Sequence, residues 1–523
     1  MKRSFKAISA VFAVFSLSIC HFASAFDGEF RAPWVDTDDL GLRTGIQRLN
    51  DSGIINIPVT TYPLLWQDID RAMESINESD ITGADRLAFE YINAKKKLAK
   101  EQVGYVQIFT QSDNRRFSSF GESFRDTSFI KSSLNWSNSY VAVNVSPSVH
   151  FEDDGDILHL DDSYISGFLG NWVFTLGKQN KWFGPGWDTS LAPTNNARPI
   201  PTVSLTRKTS IPLKVPFTES YGIPWSLTTG IGLLEEDRHI PDALIWTFRF
   251  NFKLTQSFEL GVTRLIQWGG EGRPQDIHTF WEALKGNDNC GAIGPSKDEC
   301  LNGKEPGNQM AGYDLRYNLH STFSIPFSLY MQMIAEDGDS KGGLSIFGEE
   351  QYQYGVDLAL TFDERPLNLF LEYTDTFADC TDGSNVGDGS GIGFGDCYYE
   401  HSTYQTGMRY KRRTIGSIYE NDAKTWVLGG VWTPDNKSNL SVKLKKLKLN
   451  SDNSDRYPDN LNLGNTLTKN KQDLWIFSMS YHSRWRHFEY QFGGNFNRLE
   501  EVVANEKQDA LGIQFYFSGK YLF

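Results

Sequence analysis

Two tryptophans, Trp182 and Trp187, sit in the run L-G-K-Q-N-K-W-F-G-P-G-W-D-T-S-L-A-P-T-N-N-A-R-P from Leu176 to Pro199. Their flat indole faces could stack on sugar rings. Lys178, Lys181, Asn195, Asn196 and Arg198 add hydrogen bonds and positive charge for hydroxyls and carboxylates. The same residue types also suit a loop folded into a barrel, its aromatics and arginine filling the bore. Residue types alone leave both readings open.

Other candidate chemistry is sparser. Cys290, Cys300, Cys380 and Cys397 fall as two pairs in Gly- and Asp-rich stretches without C-x-x-C spacing. They suit two loop-closing disulfides made in an oxidising compartment; neighbour pairing is preferred because each pair lies within one loop. Zinc would need a ligand spacing that is absent, and no cofactor is implied. Lys411, Arg412 and Arg413, and separately Lys443, Lys445, Lys446 and Lys448, are cationic runs on a chain of net charge −14. They suit acidic glycan or lipid phosphate, or simply a solvated face. The acidic balance argues against nucleic acid as a partner. G-x-S-x-G, H-E-x-x-H, the P-loop and a complete G-x-G-x-x-G are missing, which points to binding rather than catalysis. A barrel hydrolase assembled from scattered Ser, His and acid residues stays as an alternative.

The elements that must position these residues are strands. From Val103 onward the apolar residues recur with period two, as where Leu244, Trp246, Phe248, Phe250, Phe252 and Leu254 alternate with Ile245, Thr247, Arg249, Asn251 and Lys253. Segments of about ten residues with aromatics near their ends fit tilted membrane strands, and in lipid only a closed sheet satisfies its own backbone. The final segment alternates from Leu511 to Phe523, like the C-terminal signature of bacterial outer-membrane barrels, which implies the barrel assembly machinery as a partner through Phe523. We therefore expect an all-β transmembrane antiparallel barrel of about 18 strands over 102–523, with plugging loops. Candidate strands begin near 103, 127, 139, 158, 171, 225, 244, 257, 312, 322, 353, 367, 401, 424, 439, 473, 487 and 509, and 202–217 reads as loop. This assignment puts both long cysteine loops on the side of the termini, where short turns are expected. A misassigned segment is thus implied, with 202–217 and 411–423 the places to look.

Upstream, residues 26–101 read as a periplasmic helical segment. Asp36 or Thr37 is the expected N-cap of a helix carrying Leu42, Ile46 and Leu49; a second helix covers Trp66 to Asn77, and a third starts near Thr82. Residues 1–25 have the charged start, apolar stretch and Ala23-Ser24-Ala25 ending of a signal peptide.

Several stretches together resemble the capsule-assembly Wzi family of outer-membrane proteins. They are A-P-W-V-D-T-D-D-L-G-L-R at 32–43, N-I-P-V-T-T-Y-P-L at 56–64, W-F-G-P-G-W at 182–187 and N-N-A-R-P at 195–199. Further on come G-N-Q-M-A-G-Y-D-L-R-Y at 307–317, E-Y-T-D-T at 372–376 and R-Y-K-R-R-T-I-G-S at 409–417. The resemblance implies an eighteen-stranded barrel occluded by loops and preceded by helices. It also implies a lectin-like, non-catalytic function, with capsular or exopolysaccharide and outer-membrane lipid as partners. The cysteine loops and the 450–472 insertion have no match in that pattern. A solute channel is the first alternative, since it too would be an outer-membrane barrel.

Overall fold

The computed structural model describes residues 30–523 apart from 75, 152–156, 215–221, 287–306, 337–348, 378–397, 402, 454–462, 464 and 504–505. The expected signal peptide and the four cysteines Cys290, Cys300, Cys380 and Cys397 lie outside the described residues.

Eighteen antiparallel strands close into one barrel among the described residues. In chain order they are β1 (Gly104–Gln111), β2 (Ser128–Ser137), β3 (Val141–Val145 and Ser148–His150), β4 (Leu158–His159 and Tyr164–Leu169), β5 (Trp172–Gly177) and β6 (Thr202–Arg207). Next come β7 (Trp225–Leu233), β8 (Leu244–Lys253), β9 (Phe258–Trp268), β10 (Gly307–Asn318), β11 (Phe327–Glu336) and β12 (Glu349–Phe362). The last are β13 (Arg365–Asp375), β14 (Ala423–Trp432), β15 (Asn439–Leu449), β16 (Gln472–Trp485), β17 (Phe488–Val503) and β18 (Glu506–Leu522). β18 pairs with β1, and Phe523 exchanges backbone hydrogen bonds with Gly104.

The pleat sends alternate side chains to opposite surroundings. Outward residues such as Phe515, 65% exposed, are apolar, while inward ones such as Arg249, Asn251, Gln332 and Gln353 are polar and buried. A soluble protein would invert this arrangement; a hydrocarbon surrounding selects it.

Two segments depart from the sequence reading. The stretch read as loop at 202–217 begins with β6, whose alternation rests on two apolar residues, Val203 and Leu205. The strand expected near 401 is absent from the barrel. Its Tyr398, Tyr399, Tyr404, Met408, Tyr410 and Tyr419 are buried in the interior instead, beside a two-stranded ladder of Arg409–Tyr410 with Arg413–Thr414. The two departures leave the strand count at eighteen but reverse the side of every connection between them. The connections from β9 to β10 and from β13 to β14, which carry the cysteines, therefore leave from the end opposite the termini.

Helices α1 (Leu40–Asp51), α2 (Trp66–Met73) and α3 (Gly83–Glu101) occupy the barrel mouth at the terminal end. The N-cap of α1 is Asp39 and not Asp36 or Thr37: its carboxylate accepts the Leu42 amide at 2.9 Å, while Asp36 and Thr37 lie upstream of the helix, Thr37 in a bend. α2 is shorter than expected, ending at Met73. The bundle is tied to the wall on several sides. Asp51 meets Arg316 of β10 at 2.6 Å, Arg48 donates to the Leu360 carbonyl of β12 at 2.7 Å, and Lys95 meets Glu489 of β17 at 2.5 Å. Ile46, Leu49, Tyr91 and Ile92 of the helices share one core with Trp182 and Trp187.

Candidate functional site

The connection between β5 and β6, residues 178–201, leaves the loop end and turns into the bore. Three inward side chains on neighbouring strands hold its backbone. Gln332 of β11 accepts the Leu191 amide at 2.8 Å and donates to the Phe183 carbonyl at 2.9 Å. Gln353 of β12 donates to the Thr189 carbonyl at 2.9 Å. Glu372 of β13 accepts the amides of Trp187 and Asp188. Such close approach of loop and wall requires the glycines of W-F-G-P-G-W. Gly184 has φ +140°, and a Cβ on Gly186 would lie 2.1 Å from the Thr189 carbonyl oxygen and 2.7 Å from the Gln353 side chain.

Asp188 is the electrostatic centre of this plug. Lys443 and Lys445 of β15 approach its carboxylate at 2.9 and 2.8 Å, Ser119 donates to it at 2.9 Å, and Tyr419 donates its hydroxyl. Burial pushes the Asp188 carboxyl up, but Lys445 and Lys443 outweigh it and hold the group far below the ordinary carboxylate range. From the terminal end Arg43 of α1 donates to the Pro185 and Gly186 carbonyls at 2.9 and 2.8 Å, its guanidinium 4.3 Å from the Trp187 ring centroid. Helix bundle and folded-in loop thus meet as one plug.

The seven residues singled out from the sequence divide by role. Trp182 and Trp187 are 0% and 1% exposed, Trp182 edge-on to Phe120 and Trp187 stacked on Phe370 with Arg43 beside both, so neither presents a face to a sugar ring in this arrangement. Their departure from strand periodicity marks burial in the plug. Asn195 accepts the Thr37 hydroxyl at 2.7 Å, and Asn196 donates to Thr414 Oγ1 at 2.8 Å. Arg198 bonds Asp126 at 2.6 Å and Asp161 at 2.7 Å. Only Lys178 and Lys181, both partly exposed, have amines without a hydrogen bond or ion pair among the described residues. Burial pulls the Lys181 amine down to about 8.

The Arg198 cluster also contains a Ser-His-Asp chain. Asp126 lies 2.5 Å from His150 Nδ1, and His150 Nε2 lies 2.8 Å from Ser148 Oγ. Connectivity alone would suit a hydrolase. However, Ser148 is only 3% exposed and Asp126 is held by Arg198, so no acyl carbon reaches Oγ unless the wall opens.

A different arc of the wall is open. At the loop end a cavity of 270 Å³ lies between the 113–122 segment and the inner faces of β16–β18. Arg115, Arg116, Asn495, Asn497 and Gln514 border it. Among the described residues Arg116 bonds Gln472 at 2.8 Å and has no carboxylate partner, and the amides of Asn495 and Asn497 have no partner. Sequence reading missed these residues. The one available signal was their shared face with Gln491 on β17, which alternation places toward the bore.

The comparisons with known proteins agree with this architecture. A solved Escherichia coli structure, Wzi, described as an outer-membrane protein involved in group 1 capsule assembly and a carbohydrate-binding β-barrel, superposes with a TM-score of 0.75. It has 21% identity and covers 94% of this chain and 100% of that one. An uncharacterized 55.8 kDa Klebsiella pneumoniae protein encoded in a cps region is 28% identical over 318 residues. That match spans 60% of this chain and 60% of the relative's length. The profile of the capsule assembly protein Wzi family matches residues 100–511, nearly the whole barrel, and the chain belongs to that family of outer-membrane β-barrels.

Proposed function

We propose that the chain is a non-catalytic, lectin-like anchor that binds capsular or exopolysaccharide and holds it at the cell surface, its helices toward the periplasm. The observation that carries this reading is a bore crossed by a bonded plug beside a loop-end cavity whose amides, Asn495 and Asn497, have no partner among the described residues. Unpaired amides and a guanidinium free of carboxylate offer hydroxyl and carboxylate recognition without catalytic machinery. Lys178 and Lys181 are further contacts on this reading, and Trp182, Trp187, Asn195, Asn196 and Arg198 serve it by holding the plug. Family membership and the carbohydrate-binding description of the superposable barrel support the ligand class. A polymer presents many repeats, so weak contacts on many copies retain it through avidity.

The test is the division of polysaccharide between cells and medium in a strain lacking the protein, with total output measured alongside. Unchanged output with glycan moved into the medium is the expected result. An unchanged division would reject the anchor, and conductance of the purified barrel in planar bilayers would then decide for a solute channel.

A further inference from the structure

The cationic run on β15 is divided by the pleat. Lys443 and Lys445 point inward to Asp188, whereas Lys446 and Lys448 point outward and are exposed. On the neighbouring strand β14 the outward residues are Lys424 and Trp426. In register Lys424 lies beside Lys448 and Trp426 beside Lys446, while Trp475 of β16 flanks Lys446 on its other side. Two lysines directly across a ladder repel each other unless an anion lies between them.

Three lysines here face two carboxylates, Asp375 of β13 and Asp473 of β16, while the next ones along the row, Glu500 of β17 and Asp509 of β18, lie against Arg498. Asp375 is 3.4 Å from Lys424 and also accepts the Tyr373 hydroxyl at 2.9 Å. Asp473 is the register neighbour of Lys448 but forms no ion pair with it. Lys446 has only the Trp475 ring, 5.2 Å from its amine, and Lys448 has no ion-pair partner among the described residues.

Directly toward the membrane from this rim, the outward surface of β9–β14 is indented by an apolar groove of 550 Å³. Leu315, Met331, Tyr354, Val356, Leu371 and Trp426 line it. Trp426 belongs to both features: it closes the groove and sits beside Lys446. Exposed Trp and Tyr on a barrel's outer surface mark the headgroup level. The lysines therefore stand where phosphates lie, and the groove where an acyl chain lies.

We propose that this is a docking site for a phosphorylated lipid of the outer leaflet, with an acyl chain in the groove and phosphate on Lys424, Lys446 and Lys448. Charge complementarity and the apolar groove beneath it select a lipid over a free polyanion, which would leave the groove empty.

The purified full-length barrel in neutral detergent would be titrated with diphosphoryl lipid A and with the same lipid after phosphatase treatment, and the adducts counted by native mass spectrometry. The wild type should prefer the phosphorylated lipid. K424Q/K446Q/K448Q should lose at least about tenfold in that binding, each cation near an anionic headgroup being worth about fivefold. Val356→Trp, which fills the groove, should weaken both lipids. Heat-dependent gel mobility would show that each variant keeps its barrel. Equal binding by wild type and triple variant overturns the proposal, as does equal binding of both lipids. Full displacement by inorganic phosphate would also overturn it, because the acyl groove would then contribute nothing. No polysaccharide enters this measurement, so its outcome is independent of the anchor reading.

Discussion

Two arcs of the same inner wall have opposite fates. On β11–β15, the inward Gln332, Gln353, Glu372, Lys443 and Lys445 all end on the folded-in loop or on Asp188. On β17 the inward Asn495 and Asn497 meet no partner among the described residues and border the loop-end cavity. Both arcs obey the same polar-inward alternation, so polarity inside the bore does not itself signal a ligand. Between these two sets of side chains, what differs is whether the described chain supplies the partner. Where it does, the polar groups build the plug; where it does not, they stay available to something from outside.

The hardest blow to the plugged arc is Asp188→Ala. It leaves Lys443 and Lys445 buried without their shared anion, and breaking a buried pair by removing one partner costs about 3–5 kcal/mol. The variant barrel should denature at lower temperature and conduct ions in planar bilayers where the wild type conducts little. Wild-type conductance together with a wild-type melting temperature would show that the aspartate does not hold the plug.

A subtler strike at the same arc is Gly186→Ala. The added methyl would press on the Thr189 carbonyl and on Gln353, an overpacking of about 1–3 kcal/mol. Glycine-specific failure should appear as a lower unfolding temperature with barrel formation preserved. If the variant melts like the wild type, the loop is less tightly seated on β12 than these distances describe.

Much of the wall was legible from sequence and little of the plug. Period-two alternation located the strands because each side chain reports its own surroundings, and the C-terminal run Leu511 to Phe523 did so without ambiguity. β6 escaped because Thr202–Arg207 offers only Val203 and Leu205 as apolar residues and no aromatic. The 398–422 segment deceived because buried tyrosines look alike whether they face lipid or plug. The tryptophans of W-F-G-P-G-W were recognisable as unlike strand residues, but their cover comes from Arg43 and Phe120, far away in the chain. Asp188 and Lys443 are 255 residues apart, and no local spacing announces such a pair. For the same reason the sequence could not say which inward amides keep a partner; Gln267, Asn308 and Gln351 also lack one among the described residues but are fully buried, so it is the place on the cavity that sets Asn495 and Asn497 apart.

The open arc is tested by Asn495→Ala with Asn497→Ala. Neither amide bonds another group among the described residues, so the double variant should melt within about 0.5 kcal/mol of wild type. If both serve polysaccharide, binding by the purified barrel should fall about thirtyfold, each hydrogen bond contributing about 1 kcal/mol. Unchanged binding would remove the cavity from the site; a large loss of stability would mean that the amides are structural after all.

Lys181 offers the smallest effect and a directional one. Its amine, pulled down to about 8 by burial, is charged at pH 7 and loses that charge as pH rises through 8. A contact between this ammonium and an acidic glycan should therefore weaken between pH 7 and pH 9, by no more than about fivefold for a single exposed ion pair. Stability moves the other way. The unfolded amine titrates near 10.5, so between about 8 and 10.5 the unfolded chain binds more protons than the folded one, and stability rises with pH across that window. Binding that falls while melting temperature rises identifies a charge contact rather than loosening of the barrel. Lys181→Arg, whose guanidinium stays charged, should flatten the binding profile; a profile that still falls in this variant would place the titrating group elsewhere.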